Sequence, residues 1–216
     1  MEWRTVIFDM DGTVLDTLED LLSAMNYAMK QHGFKMHSLE EMRSFVGDGL
    51  YMMAVRAVPS GTEEATVKSV FNCFKAYYGE HLNVLTKPYD GIIWMLEKLK
   101  QAGIRTGISS NKYDQGAKML SDIHFGRLID CTVGESELVP KKPDPTGTRL
   151  IMNELGANAE STLYVGDSNV DIQTAANAGL KMLAVSWGFR TRQQLAEAGA
   201  AQIVDSVAEL EHYILN

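Results

Sequence analysis

The chain has 216 residues, of which 45% are hydrophobic and 22% are charged, a composition typical of a globular protein. Its formal net charge of −8 argues against a nucleic-acid or membrane-surface partner, because such partners require basic patches. No apolar run approaches the roughly 20 residues that a membrane span needs.

The first predicted element is a short buried strand that ends at two carboxylates. Residues 6–8 (Val-Ile-Phe) form an apolar run of strand length, and Asp9, Asp11 and Gly12 follow it. Two carboxylates two positions apart at the end of a buried strand repel each other unless a cation compensates them. Gly12 can adopt backbone angles that other residues avoid. We therefore interpret this stretch as a reaction centre.

Residues 18–78 carry helical periodicity throughout and contain no strand pattern. Four helices are predicted: one ending at His32-Gly33, one beginning with the capping box Ser38-x-x-Glu41, one from about Leu50 to Val58, and one through Val67, Val70, Phe74 and Tyr78. These helices predict a small bundle over residues 15–84, inserted into a core made of residues 1–14 and 85–216.

From Pro88 onward, predicted helices and strands alternate. The predicted strands cover residues 105–109, 129–133, 162–165, 182–185 and 202–204, and the predicted helices pass through 92–99, 117–120, 144–155, 172–179 and 206–214. Asp144 and Pro145 are expected as the N-cap and first-turn residues of their helix, and Ser206 as the start of a capping box. The alternation predicts an α/β fold with a doubly wound parallel sheet.

Polar residues follow four of the predicted strands, at the edge of the sheet where ligands bind. They are Asp9 and Asp11, then Ser109-Ser110-Asn111-Lys112, then Lys141-Lys142-Pro143, then Asp167 with Asp171 behind it. Several carboxylates around one point need a hard dication, and Mg²⁺ suits a few carboxylates with waters and a phosphate. A Lys and a hydroxyl facing them would hold an anion, so the set predicts phosphoryl transfer. The chain has no Walker-type loop and hence no sign of a nucleotide cradle.

The whole chain resembles the haloacid dehalogenase superfamily. Four segments of the chain look like the four motifs of that superfamily, in the same order. They are Asp9-Met10-Asp11-Gly12-Thr13-Val14-Leu15-Asp16-Thr17, Ser110-Asn111, Lys142-Pro143-Asp144-Pro145 and Gly166-Asp167-Ser168-x-x-Asp171. The helical insert resembles the C1 cap of that superfamily, and Val46-Gly47-Asp48-Gly49 is similar to the cap loop of its phosphoglycolate-phosphatase-like branch. The resemblance implies an inserted helical-bundle cap domain that closes over the core, with hinges near Leu15 to Thr17 and Val84 to Pro88.

The resemblance also implies a role for each motif residue. Asp9 is the nucleophile that forms an aspartyl-phosphate, and Asp11 protonates the leaving alcohol and later activates water. Mg²⁺ is held by the side chains of Asp9 and Asp167 and by the backbone carbonyl of Asp11. The implied phosphate- and substrate-binding residues are Ser110, Lys142, Gly12, Asn111, Gly47 and Gly49. An Asp at position 11 favours phosphate-ester hydrolysis over dehalogenation.

These assignments predict a Mg²⁺-dependent phosphoric monoester hydrolase that acts on a small phosphorylated metabolite, with phosphoglycolate as the first choice. Pyrophosphate, a nucleoside monophosphate or a sugar phosphate are alternative substrates. A β-phosphoglucomutase-like mutase is a second hypothesis, although no Thr-x-x-Arg arrangement stands near Thr17 to Asp20. A phosphonate hydrolase would need Lys30 or Lys35 to form a Schiff base, and a non-catalytic binding protein would not need so complete a set of residues.

Several positions have two interpretations. Ser109 competes with Ser110 for the phosphate, whereas of the two adjacent lysines only Lys142 matches the motif. Asp171 either assists the metal or is a helix N-terminal carboxylate that compensates the dipole. Residues 47–49 form either a specificity loop or an ordinary interhelix turn, and Arg43 just before them is a candidate partner for a substrate carboxylate.

The two cysteines, Cys73 and Cys131, stand far apart in apolar surroundings. They are expected to be buried free thiols in a reducing compartment rather than a disulfide or a zinc site. The N-terminus runs directly into the first strand without a secretory signal, which predicts a cytoplasmic protein. A monomer or homodimer is expected, with a small phosphorylated metabolite as its partner.

Overall fold

A six-stranded parallel sheet forms the centre of the larger of two units in this computed structural model, which describes residues 2–47 and 49–216. The strands are β1 (Thr5–Phe8), β2 (Leu15–Asp16), β3 (Lys87–Pro88), β4 (Arg105–Tyr113), β5 (Cys131–Glu135), β6 (Thr162–Gly166), β7 (Lys181–Val185) and β8 (Ile203–Val204). The sheet has the order β5-β4-β1-β6-β7-β8 with parallel pairing throughout, so the predicted fold class is confirmed.

The helices divide between the two units. They are α1 (Leu18–Gln31), α2 (Leu39–Phe45), α3 (Leu50–Ala57), α4 (Glu64–Glu80), α5 (Ile92–Gln101), α6 (Asp114–His124), α7 (Thr146–Glu154), α8 (Asn169–Ala178), α9 (Arg192–Glu197) and α10 (Val207–Leu215). The larger unit, called the core unit below, comprises Met1–Asp16 and Pro88–Asn216, and the helical unit comprises Thr17–Lys87 with α1 to α4. No helix within the described residues is both long and apolar enough to cross a membrane.

Strand β1 lies in the middle of the sheet, and all four of its residues are buried. A central strand of a parallel sheet is covered on both faces, which explains why its sequence is apolar rather than alternating. On one face Ile7 and Tyr164 pack with Ile151 of α7 and Ala175 of α8. This packing holds the ends of β1 and β6, and the polar residues that follow them, in a rigid frame.

The helical unit is built from amphipathic helices, as its sequence predicts. α1 packs along α4, and their buried faces include Met25 and Met29 on one helix and Phe74 and Tyr78 on the other. The Met-rich and aromatic stripes are therefore the core of this unit. The predicted capping box of α2 is confirmed, because Ser38 Oγ accepts from Glu41 N at 3.2 Å and Glu41 Oε2 accepts from Ser38 N at 2.7 Å.

One predicted helix start and one predicted capping box differ from the structure. α7 begins at Thr146 with Pro145 as its N-cap, and Asp144 lies one position earlier, where its Oδ1 accepts from Thr146 N at 2.9 Å. An Asp side chain commonly accepts a hydrogen bond from the N–H two residues further on, which forms a local turn. Because Asp144 forms this turn, α7 begins one residue later than predicted. At α10 only half of the predicted capping box forms, because Glu209 Oε2 accepts from Asp205 N instead of from Ser206 N.

Some predicted boundaries were also wrong, and three short elements, α9, β2 and β3, were not predicted. β4 continues to Tyr113 rather than ending at Ser109, and β5 begins at Cys131 rather than Ile129. Helix α9 was missed because its six residues are too few to show a helical period. The two cysteines are free, but both are half-buried rather than buried, since Cys131 begins an edge strand and Cys73 lies beside the buried stripe of α4.

Candidate active site

The two strands at the centre of the sheet bring two acids together. Phe8 of β1 is in register with Val165 of β6, and Asp9 N donates to Val165 O at 2.8 Å. Asp9 follows β1 and Asp167 follows β6, so parallel pairing carries both carboxylates to the same edge of the sheet. This is the edge at which open parallel sheets bind ligands.

Three buried carboxylates form a cluster at this edge. One oxygen of each of Asp9, Asp167 and Asp171 lies within 4.8 Å of the other two. Burial and the charge of Asp171 raise the pKa of Asp9 well above its usual value, although Lys142 lowers it. Burial and the charge of Asp171 also raise the pKa of Asp167, to about 7. Burial and the neighbouring carboxylate therefore both disfavour the charged forms of Asp9 and Asp167 unless a cation offsets them.

Lys142 lies against two of these acids. Its Nζ is 2.8 Å from Asp9 Oδ1 and 2.7 Å from Asp171 Oδ1, and its side chain is almost completely buried. Although burial lowers the pKa of Lys142, the charges of Asp171 and Asp9 raise it well above its usual value. The neighbouring Lys141 is exposed and lies 3.6 Å from Glu135, so only the lysine before Pro143 reaches the acid cluster.

Asp171 contacts both the N-terminus of α8 and the buried Lys142. Its Oδ2 accepts from the backbone N and the Oγ of Ser168 at 3.1 and 2.6 Å, which completes the capping box of α8. Its Oδ1 accepts from Lys142 and lies 3.3 Å from the Tyr164 hydroxyl. Asp171 thus occupies the helix N-terminal position, and the same carboxylate also contacts the buried lysine and belongs to the acid cluster.

Asp167 is held by two groups that the sequence did not identify. Thr13 Oγ1 donates to its Oδ1 at 3.2 Å, and the backbone N of Phe189 donates to its Oδ2 at 2.6 Å. Thr13 lies within the first motif, so its position carried a signal. Phe189 contributes only a backbone N–H, for which no residue type is diagnostic.

Asp11 is paired with a lysine for which the motif resemblance implies no role. Lys112 Nζ lies 3.1 Å from Asp11 Oδ1, and the Lys112 side chain is 4% exposed. The three-acid cluster contains Asp171 and not the side chain of Asp11. The signal for Lys112 was its position directly after Ser110-Asn111 at a strand end.

The residues at the end of β4 have distinct environments. Ser109 Oγ lies 3.3 Å from Thr148 Oγ1 of α7, whereas Ser110 Oγ accepts from Lys112 N at 3.1 Å. Ser109 is thereby occupied by the helix that covers the sheet, which favours Ser110 for an anion. Asn111 Oδ1 accepts from Lys142 N at 2.7 Å, so this side chain supports the lysine loop.

The donor set of the cluster fits Mg²⁺. Hard dications take oxygen ligands, and Mg²⁺ is commonly bound by one or two carboxylates plus waters and substrate phosphates. A dication among the oxygens of Asp9, Asp167 and Asp171 would offset the mutual repulsion and the burial that raise the pKa of Asp9 and Asp167.

The remaining predicted site residues belong to the helical unit or to the turn after β1. Gly47 and Gly49 lie between α2 and α3, with φ angles of 130° and 86° that favour glycine, and Asp48 is outside the described residues. Arg43 is an exposed residue of the last turn of α2. Gly12, with φ of 87°, forms the turn of the first motif, and its N–H donates to Leu15 O at 2.9 Å.

Comparisons with known proteins agree with the geometry. The chain is 31% identical to a phosphoglycolate phosphatase of Pseudomonas syringae pv. syringae over 96% of this chain and 78% of that protein. It is also 31% identical to an N-acetylmuramic acid 6-phosphate phosphatase of Pseudomonas aeruginosa, over 97% of this chain and 94% of that protein. A crystal structure from Lactobacillus delbrueckii subsp. bulgaricus, provisionally named a phosphoglycolate phosphatase, has a TM-score of 0.95 and 34% identity, with both chains fully covered.

A family model described as haloacid dehalogenase-like hydrolase matches residues 6–185. The chain therefore belongs to the haloacid dehalogenase-like hydrolase family, as its four motifs predicted. Within that family it is an enzyme of the phosphatase class, a phosphoric monoester hydrolase.

Proposed function

We propose that this enzyme is a Mg²⁺-dependent phosphatase that hydrolyses a small phosphorylated metabolite, with phosphoglycolate as the first candidate, through an aspartyl-phosphate on Asp9. The observation that carries the proposal is the contact of Asp9 with Lys142 inside a cluster of three buried carboxylates. A nucleophilic carboxylate, a buried cation for the phosphoryl group and an acidic cluster for a metal ion are the components that phosphoryl transfer to an aspartate requires.

Asp9 and Asp167 would hold the magnesium ion, together with the backbone carbonyl of Asp11. When bound, the ion supplies positive charge for the phosphoryl oxygens and reduces the repulsion between the phosphate and the carboxylates. The position of Asp171 against both Lys142 and the N-terminus of α8 supports a different role for it, which is to orient the lysine.

The chemical steps follow from the proposed roles of the side chains. An oxygen of Asp9 attacks phosphorus while the bond from phosphorus to the ester oxygen breaks, and Asp11 gives its proton to the leaving alcohol. Asp11 then takes a proton from a water molecule whose oxygen attacks the phosphorus. The bond from phosphorus to Asp9 breaks, inorganic phosphate is released, and both side chains return to their starting states. Lys142 and Ser110 hold the phosphoryl oxygens in both steps, with Gly12 in the turn between Asp11 and Thr13.

We further propose that the helical unit acts as a cap domain and selects the substrate. Gly47 and Gly49, in the turn between α2 and α3, are our candidates for the substrate loop. Phosphoglycolate is supported by the names of several relatives, but a relative of equal identity is named for N-acetylmuramic acid 6-phosphate. Both names denote a phosphate ester of an acid, so we expect acid-bearing phosphates to be better substrates than neutral ones such as glycerol 3-phosphate.

The test is phosphate release from a panel of esters, with and without Mg²⁺, for the wild type and Asp9→Asn. Loss of the nucleophile should lower turnover of every substrate by about 10³-fold or more, while the protein stays folded. Asp122→Asn, which changes an exposed carboxylate on α6, is the matched control and should retain full activity. Substantial turnover by Asp9→Asn would contradict the proposed nucleophile. Interconversion of sugar phosphates without phosphate release would point instead to a mutase.

A further inference from the structure

The segment after β7 contacts both the first motif and Asp167. Phe189 N donates to Asp167 Oδ2 at 2.6 Å, and Trp187 Nε1 donates to the backbone O of Thr13 at 3.1 Å. We infer that residues 187–189, called the strap below, orient Asp167 and thereby set the affinity of the enzyme for Mg²⁺. This inference rests on the magnesium site of the proposed function, but it concerns residues outside the four motifs.

The strap and the first motif pack so closely against Asp167 that neither Gly188 nor Gly12 has room for a side chain beside its carboxylate. A Cβ added at Gly188 would lie 2.3 Å from Asp167 Oδ2 and 2.3 Å from Gly12 O. A Cβ added at Gly12 would lie 2.5 Å from the same Oδ2 and 2.8 Å from a ring carbon of Phe189. These distances are far below van der Waals contact, so only glycine fits at either position while the carboxylate keeps its place.

Both oxygens of Asp167 are held through the strap. The first hydrogen bond is direct, from Phe189 N to Oδ2. The second acts through Thr13, whose backbone carbonyl accepts from Trp187 and whose hydroxyl donates to Oδ1 at 3.2 Å. One three-residue segment therefore contacts Oδ2 directly and Oδ1 indirectly, through Thr13.

Holding Asp167 in place counters the repulsion between the three buried carboxylates. Asp167 is buried beside Asp9 and Asp171, and like charges at this distance would turn the carboxylates away from each other if they were free to rotate. Holding Asp167 toward the other acids preorganises the ligands for a dication. Groups that orient metal ligands typically change metal affinity by about 10–100-fold when they are removed.

The test is a calorimetric titration of the full-length protein with MgCl₂ in the absence of substrate, so that the measured quantity is metal binding and not turnover. Gly188→Ala should weaken Mg²⁺ binding by about tenfold or more, because the new methyl displaces Asp167 Oδ2. Trp187→Phe removes the hydrogen bond to Thr13 while keeping an aromatic ring at this position, and it should weaken binding by a few-fold. Thermal unfolding identifies the variants that fold, and Trp187→Phe decides the question if Gly188→Ala does not fold.

Two matched controls separate orientation from general damage. Gly79→Ala adds a methyl to an α4 glycine that has no heavy atom within 4 Å of the added carbon, and Trp94→Phe changes an exposed tryptophan on α5. Both should bind Mg²⁺ like the wild type. Wild-type affinity in folded Trp187→Phe and Gly188→Ala would overturn the inference. Absence of Mg²⁺ binding by the wild type would overturn it together with the metal part of the proposed function, whereas the Asp9→Asn assay tests the nucleophile separately.

Discussion

The two units of this protein each bury a carboxylate, and the two carboxylates have opposite surroundings. Asp20 of α1 in the helical unit is 2% exposed, and Asp167 in the core unit is 1% exposed. The oxygens of Asp20 accept from the backbone N–H groups of Val84, Leu85 and Thr86 and from the Thr86 hydroxyl, at 2.8–3.0 Å. Asp167 instead shares its site with two further carboxylates.

The difference between the two carboxylates lies in their neighbours and not in their burial, which is nearly equal. Neutral donors surround Asp20 and compensate its charge locally, so it ties residues 84–86, near the end of the helical unit, to the first helix of that unit. Asp9, Asp167 and Asp171 compete for Lys142 and for a few hydroxyl and N–H donors, and their repulsion is useful only where a cation is bound.

Asp171→Ala should have the largest effect on stability, because it leaves the buried Lys142 with one partner fewer and removes part of the α8 cap. We expect the free energy of unfolding to fall by about 4 kcal/mol, in the range for breaking a buried ion pair. Ser168→Ala, which removes only the N-cap hydroxyl, should cost about 1 kcal/mol. Denaturant unfolding of both variants measures the difference. Equal losses would mean that Asp171 acts only as a helix cap.

Binding of Mg²⁺ to the cluster of Asp9, Asp167 and Asp171 should raise the free energy of unfolding of the protein. At a Mg²⁺ concentration 100 times the dissociation constant, binding to the folded state raises the free energy of unfolding by about 2.7 kcal/mol. Asp167→Asn should remove this increment, whereas Asp20→Asn should retain it. Thermal unfolding with Mg²⁺ and with EDTA provides the measurement, and a Mg²⁺-dependent shift that persists in Asp167→Asn would exclude this carboxylate as a ligand.

Asp20→Ala should affect stability and not chemistry. Removing the carboxylate leaves the buried N–H and hydroxyl of Thr86 without this acceptor, whereas the N–H groups of the exposed Val84 and Leu85 can bind water. We therefore expect the free energy of unfolding to fall by about 2 kcal/mol. Glu19→Ala, on the exposed side of the same helix, should change stability by about 0.5 kcal/mol or less. Turnover of p-nitrophenyl phosphate by the folded variant should stay within about twofold of wild type. A large fall in turnover at saturating substrate would show that the two kinds of carboxylate are not separable.

Lys112→Met should produce the smallest effect of the series, because Asp11 is partly exposed and solvent screens the contact of its Oδ1 with Lys112 Nζ, at 3.1 Å. Poorer orientation of Asp11 should lower kcat for an alkyl phosphate by about tenfold, which corresponds to about 1.4 kcal/mol. The fall should be smaller for p-nitrophenyl phosphate, whose leaving group needs little help from an acid. Lys118→Met, which removes an exposed lysine paired with Asp114 on α6, is the control. Equal losses for both substrates would argue against a link between Lys112 and Asp11.

Most of the fold could be predicted from the sequence because its signals are local. Apolar periodicity located the helices and the core strands, and Ser38-x-x-Glu41 marked the start of α2. The errors occurred where local signals were short or ambiguous, as in the six residues of α9 and at Asp144, whose side chain forms a turn before the helix. Candidate site residues could also be named from the sequence, because they directly follow predicted strands and parallel strands bring their carboxyl ends to one edge of the sheet.

The sequence by itself determined the family, the α/β class and the strand-end acids that meet in the core unit. It did so because motif residues and hydrophobic periods are properties of adjacent positions. Only the tertiary structure decided that Asp171 joins a helix cap to Lys142, that Lys112 pairs with Asp11, and that the strap holds Asp167. These contacts join residues far apart in the chain, and several use backbone N–H or C=O groups that every residue type carries, so no sequence pattern distinguishes them.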